Sequence, residues 1–132
     1  MNRLSARLVT LVLVAVLAIL VAGCGGSTAT SGVQKVDAAK AVAMLGSRTV
    51  IDVRTPAEYA AGHIAGAQNI DVEAADFGSK IASLDKKAPY LVYCHSGRRS
   101  AIAAAQMAAA GFTDIVDGGA LADLVAAGAP TQ

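Results

Sequence analysis

The chain has 132 residues, enough for one domain and too few for two. Hydrophobic residues make up 55% of it, charged residues 16% and aromatics only 4%, a balance that excludes a disordered polymer. Eleven Lys and Arg stand against ten Asp and Glu; without Arg3 and Arg7 this becomes nine against ten, a net −1, with no basic stripe to hold a nucleic acid.

In chain order, residues 1–23 have the layout of a signal peptide. Arg3 and Arg7 form a short positive region, Leu8 to Ala22 is apolar except for Thr10, and no charge follows until Lys35. Val21-Ala22-Gly23-Cys24 is similar to the bacterial lipobox, in which the cysteine is lipidated and becomes the first mature residue. The alternative is a plain transmembrane helix. Leu8 to Cys24 sits at the lower edge of the roughly 17–25 residues that span a bilayer, but such a helix has no need of Gly-Cys-Gly-Gly at its end. Both readings place the remainder outside the cytoplasm. The expected location is the cell membrane, through lipid on Cys24, facing the periplasm or cell envelope. Residues 24–32 read as a lipidated, uncharged tether, and residues 33–132 as the folded domain.

That domain alternates strand and helix. Val33–Val36 reads as a short strand, and Asp37 caps a helix over Ala38–Leu45 that Gly46 stops. Thr49–Val53 has the β-branched, apolar pattern of a buried strand. Thr55-Pro56-Ala57-Glu58 is a capping box with proline in the first turn, and Gly62 ends the short helix it starts. An extended piece near Gln68–Asp71 and a helix around Lys80–Leu84 follow. Tyr90–Tyr93 is a second buried strand leading directly into Cys94. Ser100–Ala110 reads as a helix ended by Gly111, Ile115–Val116 as the last inner strand, and Leu121–Ala127 as a helix stopped by Gly128. Repeated β-then-α order predicts an α/β fold with a parallel sheet covered on both faces.

With Cys24 lipidated, Cys94 has no intramolecular partner in a compartment where thiols tend to oxidise. It is therefore either buried and inert or kept for its chemistry. In open α/β sheets ligands collect beyond the carboxyl ends of strands, which is where Cys94 falls. The segment His95-Ser96-Gly97-Arg98-Arg99 then leads into a helix. A loop of that length at a helix N-terminus can turn several backbone N–H groups inward as an anion cradle. These groups, the helix dipole and Arg98 or Arg99 favour a thiolate. The two arginines, the histidine and the serine that follow make a poor context for a core cysteine. No recognised metal-ligand spacing joins His63, His95 and Cys94, and no cofactor is expected.

Cys94-His95-Ser96-Gly97-Arg98-Arg99-Ser100 resembles the active-site loop of the rhodanese family. Ile51-Asp52-Val53-Arg54, Glu58-Tyr59, Gly62-His63-Ile64-Ala65-Gly66-Ala67 and Asn69-Ile70 form a second, independent match. The resemblance runs from about Val33 to Pro130. It implies a small α/β domain with a five-stranded parallel sheet and helices on both faces. It also implies transfer of a sulfane sulfur from an anionic donor such as thiosulfate, through a Cys94 persulfide, to cyanide, a thiol or a partner protein. His95 to Ser100 would line the substrate site. Related phosphatases and arsenate reductases use a Cys-x5-Arg loop; here four residues separate Cys94 from Arg99, which favours sulfur over phosphoryl transfer.

Asp52 and Arg54 end a strand on the same side of the sheet as Cys94. Pairing with each other, or with Arg98 or Arg99, would make them supports for the loop. His63 reads as a structural hydrogen-bonding residue, and Glu58 is explained by its capping box. Two features depart from the family pattern. His95 stands where many members carry a cation. Near the C-terminus, Gly119-Ala120-Leu121-Ala122-Asp123-Leu124 aligns with a Gly-Gly-x-x-x-Trp motif, with Leu124 in place of the aromatic. An envelope-anchored sulfurtransferase is the favoured function. The alternative is a module without turnover that stores persulfide, senses, or docks a membrane partner.

Overall fold

The computed structural model describes residues 32–132. The expected signal segment, Cys24 and the expected tether through residue 31 lie outside the described residues. Five strands form one parallel sheet: β1 (Val33–Lys35), β2 (Thr49–Asp52), β3 (Gln68–Asn69), β4 (Tyr90–Cys94) and β5 (Ile115–Ala120). Their spatial order is β1-β5-β4-β2-β3, so the two most apolar runs, in β2 and β4, lie side by side near the centre. Thr49 to Asp52 pair with Tyr90 to Tyr93 in register. The two edge strands are the shortest, three and two residues, which limits the exposed, unpaired backbone.

Among the described residues four α-helices connect the strands, α1 (Ala38–Met44), α2 (Pro56–Ala60), α3 (Phe77–Ala82) and α4 (Arg98–Ala109), and α5 (Leu121–Ala126) follows β5. Strand side chains alternate between faces, and the core divides accordingly. One face packs Ile51, Val53, Val92 and Cys94 against Phe77 and Ile81 of α3 and Ala103, Ala104 and Met107 of α4. The other packs Val50, Leu91, Tyr93 and Val116 against Ala41 of α1 and Leu124 of α5. Burial on both faces explains why β4 reads as an unbroken apolar run rather than an alternating one.

The expected caps form. Asp37 accepts from the Lys40 amide at 2.8 Å, and Thr55 and Glu58 make the reciprocal capping box that starts α2. Leu124 is fully buried while its neighbour Asp123 is exposed, so a leucine fills the position aligned with the aromatic. Several boundaries differ from expectation. α3 begins at Phe77, not Lys80, because Phe77 and Ile81, one turn apart, both reach the core. Gly46 does not stop α1 but lies within a 3-10 turn, Leu45–Ser47, that continues it. β5 runs on to Ala120 through Gly118 and Gly119, since a backbone ladder does not depend on side chains. Cys94 is the last residue of β4, and α4 starts at Arg98, two residues earlier than the sequence suggested.

Candidate active site

The site is built where β4 gives way to α4. Strand pairing fixes Cys94 opposite Ala120 of β5. His95 and Ser96 arch outward and are exposed. Gly97, at φ 88°, turns the chain back into α4, a conformation that glycine adopts without steric penalty. This turn brings the Gly97 N–H to 3.0 Å from Cys94 Sγ. Gly97 is also the N-cap of α4, and no side chain caps that helix. Its first-turn amides are therefore not taken up by a cap, and the positive end of its dipole lies at the sulfur. Ser100 is buried, and its hydroxyl donates to the Gly97 carbonyl at 3.1 Å, bracing the turn from within.

Cys94 is nevertheless fully buried. The sequence posed a buried cysteine and a cysteine set against the loop as alternatives, and Cys94 has both surroundings. The sulfur rests on the apolar face of the sheet with Ile51 and Val53, yet it accepts a loop N–H.

Arg98 and Arg99, adjacent in sequence, have different surroundings. Arg98 is exposed. Arg99 is drawn across to Glu58: Nη2 lies 2.7 Å from Oε1 and Nη1 lies 2.8 Å from Oε2. A longer contact, 3.4 Å, joins Nη1 to Glu73. Such a two-pronged guanidinium–carboxylate pair is stronger and more directional than a single ion contact. The Arg99 bond draws the Glu58 carboxyl down from 4.5 to about 2, with Thr55 adding to it. Arg99 is raised in turn, by Glu58 first and then by Glu73 and the Cys94 sulfur.

Asp52 and Arg54 pair with each other and with neither loop arginine. Arg54 Nη2 and Nε reach the Asp52 carboxylate at 2.6 and 2.9 Å, and Arg54 Nη2 also donates to the Gly62 carbonyl at 2.7 Å. The carboxylate accepts from the Tyr93 hydroxyl at 2.7 Å, and that oxygen accepts from the Ile64 amide at 3.0 Å. Burial, with the neighbouring Asp52 carboxylate, holds the Tyr93 hydroxyl protonated far above its ordinary range. Both buried ions are thus hydrogen-bonded on several sides, which enclosure requires. The expectation that this pair shares Cys94's side of the sheet needs correction. Asp52 and Tyr93 are register partners that meet on one face, and Cys94 packs on the other. The pair touches Tyr93, the residue before Cys94 in β4.

His63 stacks on Tyr59, with ring centroids 3.6 Å apart. Its Nδ1 lies 2.9 Å from the Tyr59 carbonyl and its Nε2 lies 3.1 Å from Gln132 Nε2, so it is held structurally. Sequence reasoning overlooked three contributors: Tyr93, Glu73 and the second bond of Glu58. For Tyr93 a signal was present, since a tyrosine in an apolar strand needs a partner for its hydroxyl and Asp52 ends the neighbouring strand. Nothing in the sequence marks the Glu58–Arg99 pair.

A small parallel α/β sheet, with a cysteine loop passing from the end of its central strand into a helix N-terminus, defines a class of proteins that handle anions or sulfur at that loop. The family is specific: the model of the rhodanese-like domain matches residues 37–122, and the chain belongs to this family. It is similar to thiosulfate sulfurtransferase GlpE of Pseudomonas fluorescens, 47% identical over 73 residues. GlpE of Pseudomonas aeruginosa PAO1 is 44% identical over the same length. Each match covers 53% of this chain and 64% of the relative, so the chain spans less than two thirds of these relatives. Among solved structures, the rhodanese-like domain of an Anabaena sp protein superposes with a TM-score of 0.67 and 30% identity, covering 74% of this chain and 77% of that one. A rhodanese with anions from E. coli gives 0.56 and 32%, covering 64% and 96%.

Proposed function

We propose that this protein is a sulfurtransferase that takes a sulfane sulfur from thiosulfate or a similar anion and passes it to a thiophilic acceptor. The observation that carries the reading is the Gly97 N–H directed at Cys94 Sγ from 3.0 Å, at the N-terminus of α4. The likeness to relatives named thiosulfate sulfurtransferase adds to it. In the first step the Cys94 thiolate attacks the outer sulfur of the donor. A sulfur–sulfur bond forms on Cys94, the donor's own sulfur–sulfur bond breaks, and sulfite leaves with the electron pair. In the second step cyanide or a thiolate attacks the outer persulfide sulfur and regenerates the Cys94 thiolate. This is covalent catalysis that divides one transfer into two. The Gly97 N–H, at the N-terminus of α4, faces the sulfur that carries charge in both steps.

The test is thiocyanate formation from thiosulfate and cyanide by the purified protein. Activity that disappears in Cys94→Ser supports the reading; a wild type inactive with thiosulfate and with other small donors overturns it. Full burial of Cys94 favours a second reading, a persulfide carrier without turnover. Mass spectrometry separates the two, because a carrier holds an added sulfur on Cys94 while making no thiocyanate.

The envelope location belongs to this proposal as well. It is supported by the charge and hydropathy pattern of residues 1–23 and by the small residues before Cys24. Cys24→Ala is expected to release the protein from the membrane fraction, and a variant that stays bound would contradict lipid anchoring.

A further inference from the structure

Both flanks of Cys94 are tied to one short stretch of chain, residues 52–58. On the upstream side Tyr93 donates to Asp52. On the downstream side Arg99 donates through both terminal nitrogens to Glu58. The ties meet within the stretch, because Asp52 holds Arg54 and Glu58 accepts from the amide and hydroxyl of Thr55, each at 3.0 Å. A capping box accounts for the Thr55 contacts alone and makes no use of Glu58 Oε1. That oxygen faces Arg99, 41 residues away in sequence.

From this closed circuit we infer that Glu58 is a positioning residue for the Cys94 loop, acting through Arg99 to fix the second residue of α4 and, with it, the Gly97 N–H that faces the sulfur. The inference rests on the sulfurtransferase reading. Isolated surface ion pairs contribute little, but here the geometry is two-pronged and partly sheltered, with Arg99 17% and Glu58 33% exposed. The low-lying Glu58 carboxyl keeps the pair charged across the neutral range. The same bond turns Arg99 toward carboxylates, leaving Arg98 and His95 as the exposed basic side chains of the loop.

The test uses the full-length protein and Glu58→Gln, which retains a residue able to complete the capping box. The expected result is a kcat lower by roughly ten-fold, part of the roughly hundred-fold that a 1 Å misplacement costs. KM for thiosulfate should stay within about twofold, since uniform binding is untouched. Hydrogen exchange at the Gly97 amide should quicken severalfold, and by more than at core amides of β4, which respond only to the fall in overall stability. Arg99→Lys keeps the charge without the fork and should lose as much activity. The double variant should be no worse than either single one. Wild-type kcat and Gly97 exchange in Glu58→Gln would overturn the inference, as would losses that multiply in the double variant. If the wild type proves inactive, the sulfurtransferase reading falls, and Gly97 exchange alone decides: faster exchange in Glu58→Gln upholds the positioning role and unchanged exchange ends it.

Discussion

Replacing Asp52 by alanine tests the internal lock most directly. Asp52 is fully buried, and the Arg54 side chain is only 5% exposed. Without the carboxylate, the guanidinium keeps the Gly62 carbonyl at 2.7 Å and loses its counter-charge, and the Tyr93 hydroxyl loses its acceptor. Breaking a buried pair by removing one partner costs about 3–5 kcal/mol. The Gly62 contact argues for the lower end. At roughly 4–8 °C per kcal/mol for a domain of this size, a cost of about 3 kcal/mol lowers Tm by about 12–24 °C. Urea and thermal unfolding followed by circular dichroism measure this, with an unchanged m-value confirming a change in stability alone. Two further variants divide the effect. Tyr93→Phe leaves the Ile64 amide without its acceptor and is expected to cost about 1–3 kcal/mol. Asp52→Leu combined with Arg54→Met replaces ions by apolar groups and should recover most of the loss. A cost below about 1 kcal/mol for Asp52→Ala, or a double variant as unstable as the single one, would refute the reasoning.

Gly97→Ala forces a side chain onto a backbone at φ 88°. It should cost about 1–2 kcal/mol and depress transfer further than that loss of stability explains, because the amide swings off the sulfur; paired melting and thiocyanate assays check this. Glu58 gives a pH dependence of defined sign. Its carboxyl titrates at 4.5 when unfolded and is drawn to about 2 in the fold by Arg99, so the unfolded chain takes up the proton first. Its contribution is complete above pH 4.5 and is lost as pH falls toward 2. Glu58→Gln should flatten that acid limb in denaturation curves, and identical limbs would contradict the pairing. Leu124→Ala opens a cavity in the α1–α5 layer and should cost about 2–5 kcal/mol. Its transfer rate should survive at temperatures below its lowered melting point.

Those elements whose cause is local were legible in the sequence. Thr49–Asp52 and Tyr90–Tyr93 announce buried strands by composition, and Asp37 and Thr55–Glu58 announce helix starts by side chains that reach only three residues along the chain. The position of Cys94 followed from the order of elements. What could not be read depends on approach through space. Phe77 starts α3 because of what lies beneath it in the core. Glu58 carries a local cap and a distant arginine on the same carboxylate, and the local role conceals the other. Cys94 is buried among neighbours on its sheet face, Ile51 of β2 and Val53 just beyond that strand. Alternation along β4 was available in principle: it assigns Tyr93 and Cys94 to opposite faces, and so separates the Asp52 lock from the cysteine.

The pairing of β4 with β5 slips by one residue, since Asp117 faces Val92 and Gly119 faces Tyr93. Gly118 is the surplus residue in this bulge, and a methyl there would come within 3.0 Å of Leu91 Cδ2 and 3.4 Å of the Val92 oxygen. Beyond it β5 passes close under the loop, with Gly119 Cα 3.6 Å from where a Cβ on Gly97 would lie. Bare main chain therefore meets bare main chain along this seam, where a Cβ is crowded at Gly118 and Gly97 and Gly119 hold positive φ. The outward side chains at 95, 96 and 98 are not bound by that seam. Variation in this lineage has room at those three sites to retune which molecules approach, with the seam itself left intact.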